Sequence, residues 1–331
     1  LAPWWRTERA ALLAALGARA AAYVYHGATA ESAARALKAL GSVSRVWYAM
    51  KANSHPDLLR RIHAAGIGLE CVSRGEIGHA RRHVPGITPA QILYTPNFAS
   101  RDEYSWALGS GVLLTIDSLY PLQHWAELFR GRDLHVRVDS GTGRGHHHHV
   151  RTAGAHAKFG VPVGELDELA ALARAAGARI VGLHAHPGSG IFDVESWRHT
   201  ALLLAGEAVR FPDLRSINVG GGLGVPDHSD RPARDLARLD AVLADVKKEY
   251  PALEIWLEPG RFLVAAAGVL LARVTQTKRK GDVRYVGVAT GMNSLIRPAL
   301  YGAYHEIVNL TRLDMPATEV VNVVGPICES A

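Results

Sequence analysis

Short apolar runs bounded by turn residues recur along most of this chain, and between them apolar positions repeat at helical spacing. Strands are predicted at 45–51, 67–72, 91–95, 113–117, 134–138, 180–186, 216–220 and 253–258. Helical patterns separate them, the clearest over 165–176, 196–209 and 231–250. Before this series, Leu12, Leu13 and Leu16 mark an amphipathic helix, 21–25 reads as a strand and 29–40 as an alanine-rich helix. Strands that alternate with helices in this way predict a parallel (β/α)8 TIM-like barrel rather than an open doubly wound sheet.

Beyond Gly260 the texture changes to strand-like runs at 268–276, 282–289 and 319–324, with few helical patterns. The expected organisation is an N-terminal helix and strand at 1–28 associated with a β-domain, a barrel at 29–262, and a β-rich domain at 263–331. That last domain is expected to be incomplete, because the sequence stops directly after GPICES without closing strands. The start, which is not methionine and mixes Arg6 and Arg9 with small residues, imitates a secretory leader. Glu8 and Arg19 interrupt it, so it reads as a helix cut from a longer chain.

Composition narrows the picture. With 48% hydrophobic and 21% charged residues the chain is an ordinary folded protein. Its excess of six basic residues is dispersed, which points to small anionic ligands and away from nucleic acid. The longest apolar run outside the opening helix, 263–272, is too short to span a bilayer, so no membrane partner is expected. Cys71 and Cys328 lie too far apart to frame a disulfide scaffold, which fits a reducing cytoplasm and leaves either thiol open to chemistry.

A barrel places reactive residues at the C-terminal ends of its strands and a phosphate site after strands seven and eight. Strand ends here carry Lys51, Glu70, Asp117, Arg137, His186 and Glu258. The run VWYAMKANS delivers its only charge, Lys51, at its end. A desolvated lysine there can attack a carbonyl, while on this stretch alone a snorkelling lysine explains the pattern equally well. After the seventh strand comes GGGLG, 220–224, where absent side chains let backbone N–H groups approach an anion. Glu258 opens EPGR, and such a carboxylate could keep a pyridine nitrogen protonated or simply pair with Arg261.

Other segments leave alternatives. His186 in HAHPGSG could stack on a flat ring, serve in packing or form half of a metal site, and no third metal ligand is evident nearby. The loop 141–160, with four consecutive histidines, reads as a solvated pH-sensitive segment or a lid. Arg297 and Tyr301, four apart, would share a face if 292–307 is helical and could clamp a carboxylate, or they are a surface arginine beside a packed tyrosine.

Together YAMKAN, HAHPGSG, GGGLG, EPGR, LIRPALYGAY and GPICES resemble, in that order, the motifs of the fold-type III pyridoxal 5'-phosphate (PLP) decarboxylases, and within them the diaminopimelate branch. The resemblance runs from about Ala21 to the last residue. It implies that Lys51 holds PLP, His186 stacks on its ring, Glu258 pairs with its nitrogen, and Ser189 with Gly220, Gly221 and Gly222 binds phosphate. It also implies that Arg261, Arg297 and Tyr301 hold the distal carboxylate of the substrate. Cys328 of a second subunit would return a proton after CO2 leaves and Glu329 would take the distal amino group, which requires a homodimer. Fusion to an aspartate kinase domain is a further implication of the close segment matches.

The expected activity is decarboxylation of meso-2,6-diaminopimelate to L-lysine, the last step of lysine biosynthesis. A decarboxylase of another basic amino acid, of ornithine or arginine type, and a non-catalytic PLP-binding regulator are the alternatives. Glu70 stands where the family often has aspartate, and VATGMN, 288–293, departs from its usual VDAGMN.

Overall fold

The computed structural model describes residues 3–141, 144–145, 157–227 and 235–329, so the four-histidine run lies outside the described residues. The chain divides into two compact units. One runs from Gly27 to Val225 and resumes at Asp235 up to Ala266; the other holds the residues up to His26, those around Pro226 and everything from Ala267.

In the larger unit eight parallel strands close a barrel: β1 (Arg45–Ala49), β2 (Gly68–Cys71), β3 (Ile92–Tyr94), β4 (Leu113–Ile116), β5 (Asp133–Asp139), β6 (Arg179–His184), β7 (Ser216–Asn218) and β8 (Glu254–Leu257). Six lie within the apolar runs named from the sequence, shortened by a residue or two; β5 overruns 134–138 by one residue at each end and β6 starts one residue before 180. The ring closes where β8 pairs with β1, with Trp256 opposite Arg45 and Leu257 opposite Val46. Beyond the strands, the Ala49 N–H donates to the Pro259 carbonyl at 3.1 Å, fastening the first strand to the turn after the last.

Side chains alternate across each strand, so residues two apart face the same side. By this alternation Trp47, Gly68, Leu93, Thr115, His135, Gly182, Ser216 and Trp256 form a lower inward set, in which Thr115, His135, Gly182 and Ser216 are register partners in turn and Trp47, Leu93 and Trp256 pack as one buried cluster. Large and small residues interlock there. The Trp47 and Trp256 rings meet at 5.4 Å and His135 lies 5.0 Å from Trp256, while a Cβ on Gly68 would collide with the Trp47 ring and one on Gly182 with the His135 imidazole. This layer is a solid plug.

Helices coat the outside. Leu58, Leu59 and Ile62 line the buried face of Pro56–Ala64, and Leu239, Leu243 and Val246 that of Leu236–Glu249. Ser100 and Glu103 form a reciprocal capping box that starts Arg101–Ser110. The helix expected at 196–209 tightens into a 3-10 turn after Gly206.

The smaller unit pairs Ala21–Tyr25 antiparallel with Gly268–Ala272, and stacks Val274–Lys280, Val283–Val288 and Asn322–Val324 into a second sheet. The single run expected over 268–276 is broken at Arg273, whose guanidinium turns back onto the carbonyls of Arg19 and Gly17. Of the helix considered for 292–307 only Arg297–Tyr301 forms, because Gly302 takes a left-handed conformation and ends it.

Candidate active site

One position above the plug, the inward residues are Ala49, Glu70, Thr95, Asp117, Arg137, His184, Asn218 and Glu258. All but Ala49 are polar. Glu70, Thr95, Asp117, His184, Asn218 and Glu258 are buried, an arrangement that only a site would repay. Lys51 stands just above this ring in a single 3-10 turn, Met50–Ala52, rather than on the strand itself. The Tyr48 hydroxyl steadies that turn by donating to the Asn53 carbonyl at 2.8 Å.

Two buried carboxylates flank the amine. Lys51 Nζ donates to Glu70 Oε2 at 2.8 Å, and Glu70 Oε1 accepts the Thr95 hydroxyl. Burial lowers the amine's proton affinity, but Glu70, Glu258 and Glu76 more than offset this and hold Lys51 above the usual lysine range. Its side chain is 55% accessible in the open mouth, so this attraction acts partly through solvent.

Glu258, at the far side of the β8–β1 seam, accepts from the Asn218 amide at 2.7 Å. Burial and the neighbouring Glu70 push its carboxyl up to about 7, while Lys51 and Arg137 pull the other way. A carboxyl poised there can hold or release a proton at neutral pH. Burial, with Arg137 and Lys51, drives His186 down to about 3, leaving a neutral flat ring.

The glycine run is fixed against the segment after β6. Gly221 N–H donates to His186 Nδ1 at 3.2 Å, and the Trp197 indole donates to the Gly221 carbonyl at 3.1 Å. Gly220 and Gly222 have φ values of 70° and 84°, and a side chain at Gly222 would run into the Gly188 carbonyl. Only glycine fits this bent path, which brings the run alongside Gly188–Ser189. Ser189 in turn pairs with Gly145 in a two-residue parallel bridge.

Lys51, His186, Ser189, Gly220, Gly221, Gly222, Glu258 and Arg261 thus belong to the barrel unit, whereas Arg297, Tyr301, Cys328 and Glu329 belong to the smaller one. There Arg297 Nη1 lies 3.2 Å from His305 Nε2, and Cys328 and Glu329 are exposed. Cys71 is not a reactive thiol: it is buried, its Sγ sits 3.3 Å from the Met50 sulfur, and burial beside Glu70 raises it far above the ordinary thiol range. Among the described residues no group of three or more potential metal ligands occurs, and no helix is long and apolar enough to cross a membrane.

Residues 27–265 match the family model for the pyridoxal-dependent decarboxylase, pyridoxal binding domain. The diaminopimelate decarboxylase of Methanothermobacter thermautotrophicus is 37% identical over 305 residues, covering 88% of this chain and 70% of the relative. The chain belongs to the diaminopimelate decarboxylases. That of Deinococcus radiodurans is 35% identical over 93% of this chain and 77% of its own. The crystal structure of the family member from Helicobacter pylori complexed with L-lysine superposes with a TM-score of 0.85 at 28% identity, over 97% of this chain and 82% of that one.

The residues present fit the cofactor of this family. An amine and a proton-holding carboxyl stand just beyond the ends of neighbouring strands, a neutral imidazole lies on the segment after β6, and a glycine path suits a phosphate. Thr95, His184 and Asn218 join this site without any motif of their own in the sequence. Their signal was available in the two-residue period, since each lies two positions after an inward residue of its own strand.

Proposed function

We propose that this protein decarboxylates meso-2,6-diaminopimelate to L-lysine and CO2, with PLP bound in the barrel mouth. The observation that carries the reading is the pair Lys51 and Glu258, an amine and a near-neutral carboxyl brought to one mouth by the two strands of the barrel seam. The relative crystallised with L-lysine supports lysine as the product.

PLP supplies a ring that accepts the electrons left at Cα when CO2 departs. Lys51 is the attachment point, and Glu70 is the base within reach of its proton. Glu258 would hold the ring nitrogen charged, which would favour loss of CO2 over racemisation. His186, buried and neutral, would stack on the ring. Ser189 with the N–H groups of Gly220, Gly221 and Gly222 binds the phosphate. Arg261, Arg297 and Tyr301 hold the distal carboxylate of the substrate, which orients the other carboxylate for loss.

Cys328 of a second subunit returns the proton to Cα, and Glu329 binds the distal amino group, so the working form is a homodimer. Exposed Ile296, Leu300, Tyr304, Ile307 and Val320 on the smaller unit support an apolar contact of this kind. A reducing cytoplasmic setting fits two free cysteines. Fusion to an aspartate kinase rests on the sequence resemblance alone.

Incubating the purified native protein with PLP and a panel of amino acids tests the substrate: lysine from meso-diaminopimelate is expected, and turnover of ornithine or arginine instead would replace the reading. Lys51→Ala should abolish the visible PLP absorbance together with activity. Mixing inactive Lys51→Ala and Cys328→Ala subunits should restore part of the rate, and no recovery would remove the shared site.

A further inference from the structure

Among the described residues, His184 stands out in the polar ring for an imidazole that makes no hydrogen bond. It is 4% exposed, and neither ring nitrogen has a hydrogen-bond partner among the described residues. A buried polar side chain left this way demands an explanation. The Arg137–His184 and His184–Asn218 register pairs seat it between those two residues. Its Nε2 lies 3.4 Å from Glu258 Oε2, while Asn218 already donates to Oε1 of the same carboxylate.

We propose that His184 is a positioning residue for Glu258, donating its Nε2–H to Oε2 so that the carboxylate is gripped from both sides and stays ionised against the ring nitrogen of PLP. This rests on the reading of Glu258 given above. The groups around the imidazole decide its role. Arg137 on β5, His186 beyond β6, Lys51 after β1 and His135 in the plug all oppose a proton on it, as does burial, and Glu258 is the carboxylate in contact. A neutral imidazole has one N–H to give. With Asn218 occupying Oε1, a short approach to Oε2 satisfies both groups. A residue that merely filled space here would not need to be polar.

Three measurements separate positioning from filling. In selectively 15N-histidine-labelled protein, with and without PLP, His184 should be neutral with its proton on Nε2 at pH 8, where Glu258 is ionised in either form; a proton on Nδ1, or an imidazolium, overturns the proposal. His184→Phe should lower kcat roughly 10- to 100-fold, the range that loss of a hydrogen bond to a charged group gives, with KM nearly unchanged. It should also shift the pH titration of the bound PLP absorbance, and His184→Gln, which keeps a donor, should recover most of both. A kcat within twofold of wild type in a stably folded His184→Phe protein, or a Gln variant as impaired as Phe, would reject the assignment. Should His184→Phe fail to fold, the proton position in the unaltered protein still decides. Because that position is also read without PLP, its failure is distinct from failure of the cofactor reading, which Lys51→Ala tests.

Discussion

Lys51 Nζ stands 2.8 Å from Glu70 Oε2, and the second oxygen of that carboxylate is held by the Thr95 hydroxyl. The reactive amine is therefore stored as an ammonium beside its own proton acceptor. Glu70→Gln keeps the Thr95 contact and removes the charge, so the amine should lose its proton more readily. Stopped-flow absorbance of PLP uptake by the apoprotein should be roughly tenfold faster at pH 7 in the variant. An unchanged or slower rate would show that Glu70 does not hold the ammonium.

Gly222 has φ 84° and faces the Gly188 carbonyl. Gly222→Ala should therefore displace the run from Ser189 and weaken PLP binding at least about tenfold, since a forced left-handed alanine and a backbone clash both cost energy. Fluorescence titration with PLP measures it. Gly164→Ala, where a Cβ would meet nothing within 4 Å, is the control and should bind normally.

Glu258 titrates at about 7 in the folded chain against 4.5 ordinarily. The folded state thus keeps its proton where the unfolded chain has lost it, so apoprotein stability falls as pH rises from about 4.5 to 7 and levels off above. Glu258→Gln should remove this slope. Thermal melts of the apoproteins should show the variant gaining on wild type between pH 5 and 8 while the PLP-loaded variant loses most activity; parallel melting curves would count against a buried proton at Glu258.

His135, in the plug, works in the opposite sense. Burial and Arg45 lower it from 6.5 to about 4, so the stability tied to its neutral form is present above 6.5 and lost as pH falls towards 4. The gap is worth roughly 3 kcal/mol at its limit. Urea unfolding of His135→Gln apoprotein should be less acid-sensitive than wild type, with the difference between them narrowing as pH drops from 6.5 to 4.

The barrel was legible in the sequence because each strand is an apolar run ended by turn residues, and because Lys51 and Glu258 are charges placed at such ends. The glycine path was visible for the same reason that it works, a run with no side chains. His184 and Asn218 were harder to see. Within INV and IVGLHAH these polar residues look like interruptions, and only closure of the ring shows that His184 is level with Arg137 and Asn218 and that both His184 and Asn218 meet Glu258. The shortness of Arg297–Tyr301 depended on the backbone angle at Gly302, which LIRPALYGAY does not announce.

The seam between β1 and β8 joins the earliest and latest parts of the barrel sequence. A ribosome must therefore release the whole ring before amine and acid can meet across it, so the buried charges of the mouth find their neighbours only in the finished chain.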